Sequence, residues 1–342
     1  MEPETQSHMS PQEWEWIQSY SQTLGFLECA IIPLIPEPRF ESYAEWIGQN
    51  YHGPLEYLAR NMDKRADPRL LGSCLNSAVV FLHPYPNDFS SQYIARYAWG
   101  KDYHHIIHEK LGQLSHNFQK KFASLQEDKV CVDTVPLLER SLAERSGLGW
   151  IGKNGCLISR KHGSFFLLAI WLVSLEIPIS TISNPGHFHC GSCTRCLEAC
   201  PTQAFIRPGA LDASLCLSTL TIENRTSIHP IFFSSLHSQA FGCDICQTVC
   251  PWNNKKTPLV GHELLPPLNQ LLTCSEMDFR AYFRKTALER PGWAGLRRNF
   301  LILAAHDPNI ADEVFIHHFS HNSNVVQKTA QDLLAWRKSK KD

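Results

Sequence analysis

The sequence predicts an α+β protein in three parts: a mixed strand–helix domain, a cysteine-rich segment and a helical tail. Three observations carry this reading. Apolar runs of strand length, such as Ser77-Ala-Val-Val-Phe-Leu and Phe165 to Val173, alternate with helical periodicity through the first half. Eight of the thirteen cysteines crowd between Cys190 and Cys250. Beyond Pro258, Pro266 and Pro267 the pattern becomes helical to the end.

The elements follow in order. Trp14, Ile17, Tyr20 and Leu24 lie at helical spacing and mark a helix within residues 10–30, with a strand near Glu28–Ile32. The proline-rich IIPLIPEPRF is loop. Helical patterns cover Tyr43–Gln49 and Pro54–Asn61, and the strand from Ser77 stops at His83-Pro84-Tyr85-Pro86. A long helix is expected over Tyr103–Ala123, then a strand over Val130–Thr134, then a helix over Ser141–Ser146 closing on Gly147. Leu157–Ser159 and Ser164–Ser174 read as a hairpin around Lys161-His162-Gly163. In the tail, Ala294–His306, Ile310–His321 and Asn324–Lys338 read as helices, the last pair like one HEAT-type repeat. The expected boundaries are 1–177, 178–260 and 261–342.

With a net charge of −1 and 43% hydrophobic residues, the chain is no polyelectrolyte for nucleic acid or membrane, though a local basic patch is compatible. The polar, acidic N-terminus carries no secretory signal, and the most apolar run is too short to span a bilayer. The expectation is a cytoplasmic monomer without membrane attachment. In the cytosol thiols stay reduced, so thirteen cysteines suggest metal rather than disulfides.

Their spacing names the metal. Cys190-x2-Cys193-x2-Cys196-x3-Cys200-Pro201 is the bacterial ferredoxin run, in which three close thiolates wrap one corner of a cubane and the fourth leaves for a second cluster. Cys243-x2-Cys246-x3-Cys250-Pro251 repeats it with Ala240 where the first cysteine would stand. Four and three make seven ligands, two cubanes need eight, and Cys216 between the runs is the natural eighth. Crossed ligation assigns Cys190, Cys193, Cys196 and Cys250 to cluster one, and Cys200, Cys216, Cys243 and Cys246 to cluster two. Zinc ribbons also use CxxC pairs, but they do not show this doubled x3-C-P run. Cys29, Cys74, Cys131, Cys156 and Cys274 stand singly in apolar surroundings and read as buried, unligated thiols.

Other residues invite chemistry. Gly147-x-Gly149-x-x-Gly152 matches a dinucleotide fingerprint, but it follows a helix and precedes a strand, the reverse of the required order. Asp133 interrupts an apolar stretch; if desolvated, it would hold a proton near neutral pH and act as a general acid. Arg280, Arg284, Lys285, Arg290, Arg297 and Arg298, with Tyr282, Phe283 and Trp293 among them, suit phosphate contact with stacking. His104 and His105 follow Asp102 as in corrinoid proteins that supply a lower histidine, but Ile107 stands where that motif needs glycine.

FGCDICQTVCPWN, VDTVPLLERSLAERSGLGWIGKNGCLI, Ile94-Ala-Arg-Tyr-Ala-Trp-Gly-Lys-Asp-Tyr-His and Tyr51-His-Gly together resemble epoxyqueuosine reductases over residues 15–335. That resemblance implies an oxidoreductase using cobalamin and two [4Fe–4S] clusters to reduce epoxyqueuosine to queuosine at the tRNA wobble position, the last step of that modification. It implies an α/β-type cobalamin-binding domain related to reductive dehalogenases, a two-cluster ferredoxin domain and a HEAT-like tRNA-contacting region. The proton donor would be Asp133, and cofactor contacts would fall on Arg60, Asp133, Lys153, Asn154, Ile158 and Asp244. Cobalamin would sit base-off without a protein ligand, and tRNA would meet Arg280, Arg284, Lys285, Arg297 and Arg298. Partners would be queuosine-type tRNAs, through the anticodon loop, and a one-electron donor such as flavodoxin or ferredoxin. Cluster one is expected nearer the corrin. A dehalogenase-like reductase of a small molecule and a plain electron-transfer module are the alternatives. The first usually carries an export signal, and the second leaves the N-terminal domain without a use.

Overall fold

The computed structural model describes residues 8–85, 89–177, 188–253, 262–263 and 265–340. The first half is built on a four-stranded antiparallel sheet, in order β1-β2-β4-β3, from β1 (Glu28–Pro33), β2 (Ser77–Pro84), β3 (Asp128–Cys131) and β4 (Phe166–Val173). Val80 pairs with Ala30 on one side and Ile170 on the other, so β2 is central and seven of its eight residues are buried. This is why its sequence is a continuous apolar run. Alternate side chains still go to opposite faces. Val79, Phe81, Ala169 and Trp171 pack beneath α1 (Pro11–Thr23) and α3 (Tyr103–Phe122) through Ile17, Ile107, Leu111 and Phe118. Ala78, Val80, Leu82 and Ile170 face Leu137 and Leu142. The helix α2 (Phe40–Gly48) lies between α1 and α3 in the chain.

Capping sets the ends of these helices. Ser10 and Glu13 form a capping box at α1, and the Asp102 side chain accepts the His104 N–H at the start of α3. Three expectations shift. Residues Pro54–Asn61 make only the 3-10 turn Glu56–Ala59. Leu157–Ile158 pairs with Trp150–Ile151, leaving β4 to the main sheet and only a Ser159–Gly163 bridge at the expected hairpin. The strand expected over Val130–Thr134 stops at Cys131, the last residue paired with β4, and the chain turns away before Pro136. Asp133 therefore sits not in a strand but in a turn, with a left-handed φ of +52°. It is followed by α4 (Glu139–Arg145).

In the Gly147–Gly152 loop, a Cβ on Gly149 would meet the Ile158 carbonyl oxygen at 2.3 Å. The glycine there serves close chain packing.

The cysteine segment carries three short helices, α5 (Arg195–Glu198), α6 (Leu217–Ile222) and α7 (Ile245–Thr248). The tail adds α8 (Leu268–Thr273), α9 (Glu276–Phe283), α10 (Gly292–Ala304), α11 (Asp312–His317) and α12 (Asn324–Ser339). One core joins Ile94, Ala98 and Trp99 to Leu220, Phe233 and Phe241 and to Phe279, Phe300, Phe315 and Leu333. Cluster segment and tail thus share a core across residue 260, while the expected boundary residues 178 and 254–261 lie outside those described.

Arg297 and Arg298 require a correction. They are 3% and 0% exposed. Arg298 donates to the carbonyls of Leu220, Asn224 and Thr226 at 3.0, 2.9 and 2.5 Å, and Arg297 to those of Leu272 and Cys274 at 3.0 and 3.1 Å. Both guanidiniums staple α10 to the last turns of two helices, Leu217–Ile222 and Leu268–Thr273, and to the chain just after them. They are not surface phosphate contacts.

Candidate active site and cluster cradle

Cys190, Cys193, Cys196 and Cys250 converge on one cavity of about 250 Å³, bounded also by Lys153, Asn154, Ile158, His189 and Trp252. The remaining four thiols are mutual neighbours. Burial raises Cys216, with Cys200 adding to it; burial pushes Cys243 up to about 12, with Cys216 and Cys200 adding. Cys246 is raised by burial and by Cys156, Cys243 and Cys216. Protons so held are released when thiols ligate metal. Among the described residues no three His, Cys, Asp or Glu groups are drawn together around a single ion. Of the other cysteines, Cys131 is buried and Cys29, Cys74, Cys156 and Cys274 are half-buried.

The turn Lys153–Ile158 clamps the cluster loops. Lys153 Nζ donates to the Gly191 carbonyl at 2.7 Å, and buried Asn154 lies 3.4 Å from the Cys246 carbonyl. These residues face cluster one's cavity. Arg60 is exposed at the end of its 3-10 turn.

Asp133 is open to solvent, its side chain 47% exposed. Its carboxylate accepts a hydrogen bond from the Tyr103 hydroxyl and lies 3.9 Å from His104 Nε2. His104 Nδ1 is 2.8 Å from Asp102, and its ring stacks on Tyr103 at 4.1 Å. Burial, with Asp133 adding, raises the Tyr103 hydroxyl far above its ordinary value. Tyr103 is therefore an orienting donor and keeps its proton. Behind the turn, the Asp133 N–H donates to Glu139 Oε1 at 3.1 Å. Glu139 is half-buried; desolvation first, then Asp133, raises its carboxyl well above the usual carboxylate range. The desolvation expected of Asp133 falls on Glu139. The sequence reading missed Tyr103 and Glu139; the only signal was an acid six residues after Asp133, at the start of the helix Glu139–Arg145.

The 94–97 loop also joins the two halves. Ile94 bridges Phe241, and the Arg96 N–H donates to Asp244 Oδ2 at 2.7 Å. Burial, only partly offset by Arg96, raises Asp244 to about 6. Tyr97 packs on Phe241 at 6.0 Å and on Tyr103 at 5.8 Å, and Tyr103 reaches Asp133. The loop bearing Cys243 and Cys246 is thus the one against the Asp133 site. The 94–97 segment pairs with the second cysteine run and not the first. At the rim, Arg290 Nε lies 2.9 Å from Glu223 Oε1. Burial raises the Tyr57 hydroxyl there, and the charges of Glu223 and Asp133 add to it.

In the tail, Arg280, Arg284 and Lys285 are exposed, and Arg280 lies 5.9 Å over the Trp293 ring while pairing with Glu276. Arg280 and Arg284, with Met277, Phe279 and Phe283, border an open groove of about 550 Å³.

Comparison with known proteins fits both halves. Residues 189–253, holding all eight clustered cysteines, match the family described as a 4Fe-4S double cluster binding domain. Residues 65–134, ending just past Asp133, match that described as Epoxyqueuosine reductase QueG, DUF1730. The epoxyqueuosine reductase of Leadbetterella byssophila is 40% identical over 83% of this chain and 95% of its own length. The chain belongs to the epoxyqueuosine reductase family. As a family member it is an oxidoreductase with a double [4Fe–4S] domain. A solved epoxyqueuosine reductase with an epoxyqueuosine-modified tRNA-Tyr stem loop superposes with TM-score 0.86 at 28% identity, covering 95% of this chain and 90% of that one. The Bacillus subtilis enzyme, with its catalytic loop swung out of the active site, gives 0.80 at 27% identity, over 95% and 89%.

Proposed function

We propose that this epoxyqueuosine reductase family member converts epoxyqueuosine to queuosine at the wobble position of tRNA, with two [4Fe–4S] clusters and cobalamin as cofactors. The observation carrying this reading is the contact chain from the Cys243–Cys246 loop through Tyr97 and Tyr103 to Asp133, which couples an electron source to a proton donor. Removing an epoxide oxygen as water consumes two electrons and two protons, and each cluster passes one electron at a time. Cubanes would take the cysteine quartets named above.

Cobalamin, when bound, supplies a centre that collects both electrons. The half-exposed Asp133 face would hold it, base-off, since His104 there is turned to Asp102 and Asp133. Asp133, Arg60 and Asp244 would be its contacts, with Lys153, Asn154 and Ile158 acting from the cluster side. Tyr103 orients the Asp133 carboxyl, which delivers a proton to the opening oxygen.

The anticodon loop would lie along the groove of Arg280 and Arg284 and reach the exposed Lys285, its bases stacking on Trp293. A flavodoxin or ferredoxin would deliver electrons one at a time to the cluster domain. In domain terms, residues 1–177 do the chemistry, 178–260 carry electrons and 261–342 hold tRNA. The chain would act as a cytoplasmic monomer.

Anaerobic protein with both clusters and cobalamin, given a low-potential reductant and epoxyqueuosine-containing tRNA, should yield queuosine on nucleoside analysis. Unchanged epoxyqueuosine would overturn the reading.

A further inference from the structure

The reaction takes up two protons, and Asp133 can deliver only one before it must be recharged. Its exposed face is the face a nucleoside would cover, which leaves the inner side. There the Glu139 carboxyl accepts the Asp133 backbone N–H at 3.1 Å, which places it on the same turn as the Asp133 carboxyl, and the charge of Asp133 acts on it. The turn it touches is strained. Asp133 holds a φ of +52°, a conformation costing a non-glycine residue about 1 kcal/mol, and Thr134 N–H closes tightly on the Val132 carbonyl at 2.6 Å. Something outside the turn must hold it, and Glu139 supplies the contact from α4, which packs on β2 and β4.

We infer that Glu139 is the positioning residue of this active site: it latches the strained Asp133 turn through the backbone amide and shares a proton with the Asp133 carboxylate. This rests on the proposed epoxide reduction. Protonated Asp133 gives its proton to the oxygen and becomes carboxylate. Glu139 passes its own proton to that carboxylate and is refilled from solvent. The two electrons come from the external reductant, so one epoxide, two electrons and two protons give one alkene and one water.

The charged groups facing Glu139 suit this. Burial and Asp133 both favour the neutral acid, Arg140 opposes them, and Cys131 alongside is a thiol pushed up to about 12 by burial and by Glu139 itself. Hence the carboxyl pair should keep a shared proton to higher pH than one acid alone.

The test uses the cluster- and cobalamin-loaded protein as wild type, Glu139→Gln and Glu139→Ala. Glutamine keeps an acceptor for the amide but has no acidic proton. Hydrogen exchange over residues 132–138 should be unchanged in Glu139→Gln and at least about tenfold faster in Glu139→Ala, since opening of the turn exposes its amides. Single-turnover conversion by Glu139→Gln should fall about tenfold or more, with the alkaline limb of its pH–rate profile displaced to lower pH. A wild-type rate and profile in Glu139→Gln would overturn the shared proton. Unchanged exchange in Glu139→Ala would overturn the latch. If wild type itself converts no epoxyqueuosine, the functional reading fails, and the exchange measurement still decides the latch.

Discussion

Replacing Arg298 with Met separates two uses of arginine that look alike in the sequence. The side chain is fully buried, and its guanidinium satisfies three main-chain carbonyls, of Leu220, Asn224 and Thr226, besides the Asn299 side chain. Methionine fills most of the volume and bonds none of them. Each orphaned carbonyl costs about 1–3 kcal/mol, so the loss is roughly 3–9 kcal/mol before compensation. The charge that no longer needs burying returns several kcal/mol, leaving a net destabilisation of about 3–5 kcal/mol. For a chain of this size that is a fall in Tm of roughly 6–10 °C, at about 2 °C per kcal/mol. The exposed Arg280 and Arg284 behave oppositely. Arg280 pairs on the surface with Glu276, an ion pair worth about 0–1 kcal/mol. In Arg280→Ala/Arg284→Ala the Tm should stay put, while the salt slope of tRNA binding should flatten by about 0.7–0.9 for each phosphate no longer neutralised. Thermal unfolding and filter binding across a salt series read both quantities. If Arg298→Met melts with the wild type and flattens the salt slope instead, the structural assignment of Arg298 is refuted.

Other predictions are shorter. Asp133→Asn should leave cluster spectra intact and abolish queuosine formation; normal turnover would remove Asp133 from the mechanism. Cys216→Ser should cost one cluster, bringing iron from about eight to about four per chain with the Cys190–Cys196 cluster retained; full iron content would refute its place as the eighth ligand. His83, 2.9 Å from Lys110 Nζ, is lowered to about 4 by burial and then by Lys110. A depressed pKa means that stability present above about 6.5 is lost as pH falls toward 4, a loss of up to about 2–3 kcal/mol. His83→Gln should flatten the fall in Tm between pH 7 and 5; an equally steep fall would refute this.

Periodicity made much of the fold legible, because β2, β4 and α3 bury whole faces and their apolar runs have the lengths of their elements. Cysteine spacing made the cluster segment legible for a different reason: ligand geometry is set by local sequence. What stayed hidden depends on contacts distant in the chain. Nothing near Asp133 announces that Tyr103, thirty residues upstream, holds its carboxylate, or that Glu139 takes the burial. Arg297 and Arg298 misled because a basic run with aromatic neighbours reads the same whether its guanidiniums meet phosphates or main-chain carbonyls. Only the tertiary pairing of Ile94 with Phe241 shows that the second cysteine run packs on the 94–97 segment.

The core shared by the cysteine segment and the last helix bears on how the protein is made. Leu217 and Leu220, which follow Cys216, and Phe241, which precedes Cys243, are packed in the same core as Phe300 on α10 and Leu333 on α12. During synthesis the sheet domain can close as soon as β4 emerges, whereas the second quartet of thiols gains its surroundings only when α12 has left the ribosome. Loading of that cluster therefore waits for α12. A truncation that removes α12 should give a protein whose iron deficit, not its unfolding, is the first visible defect.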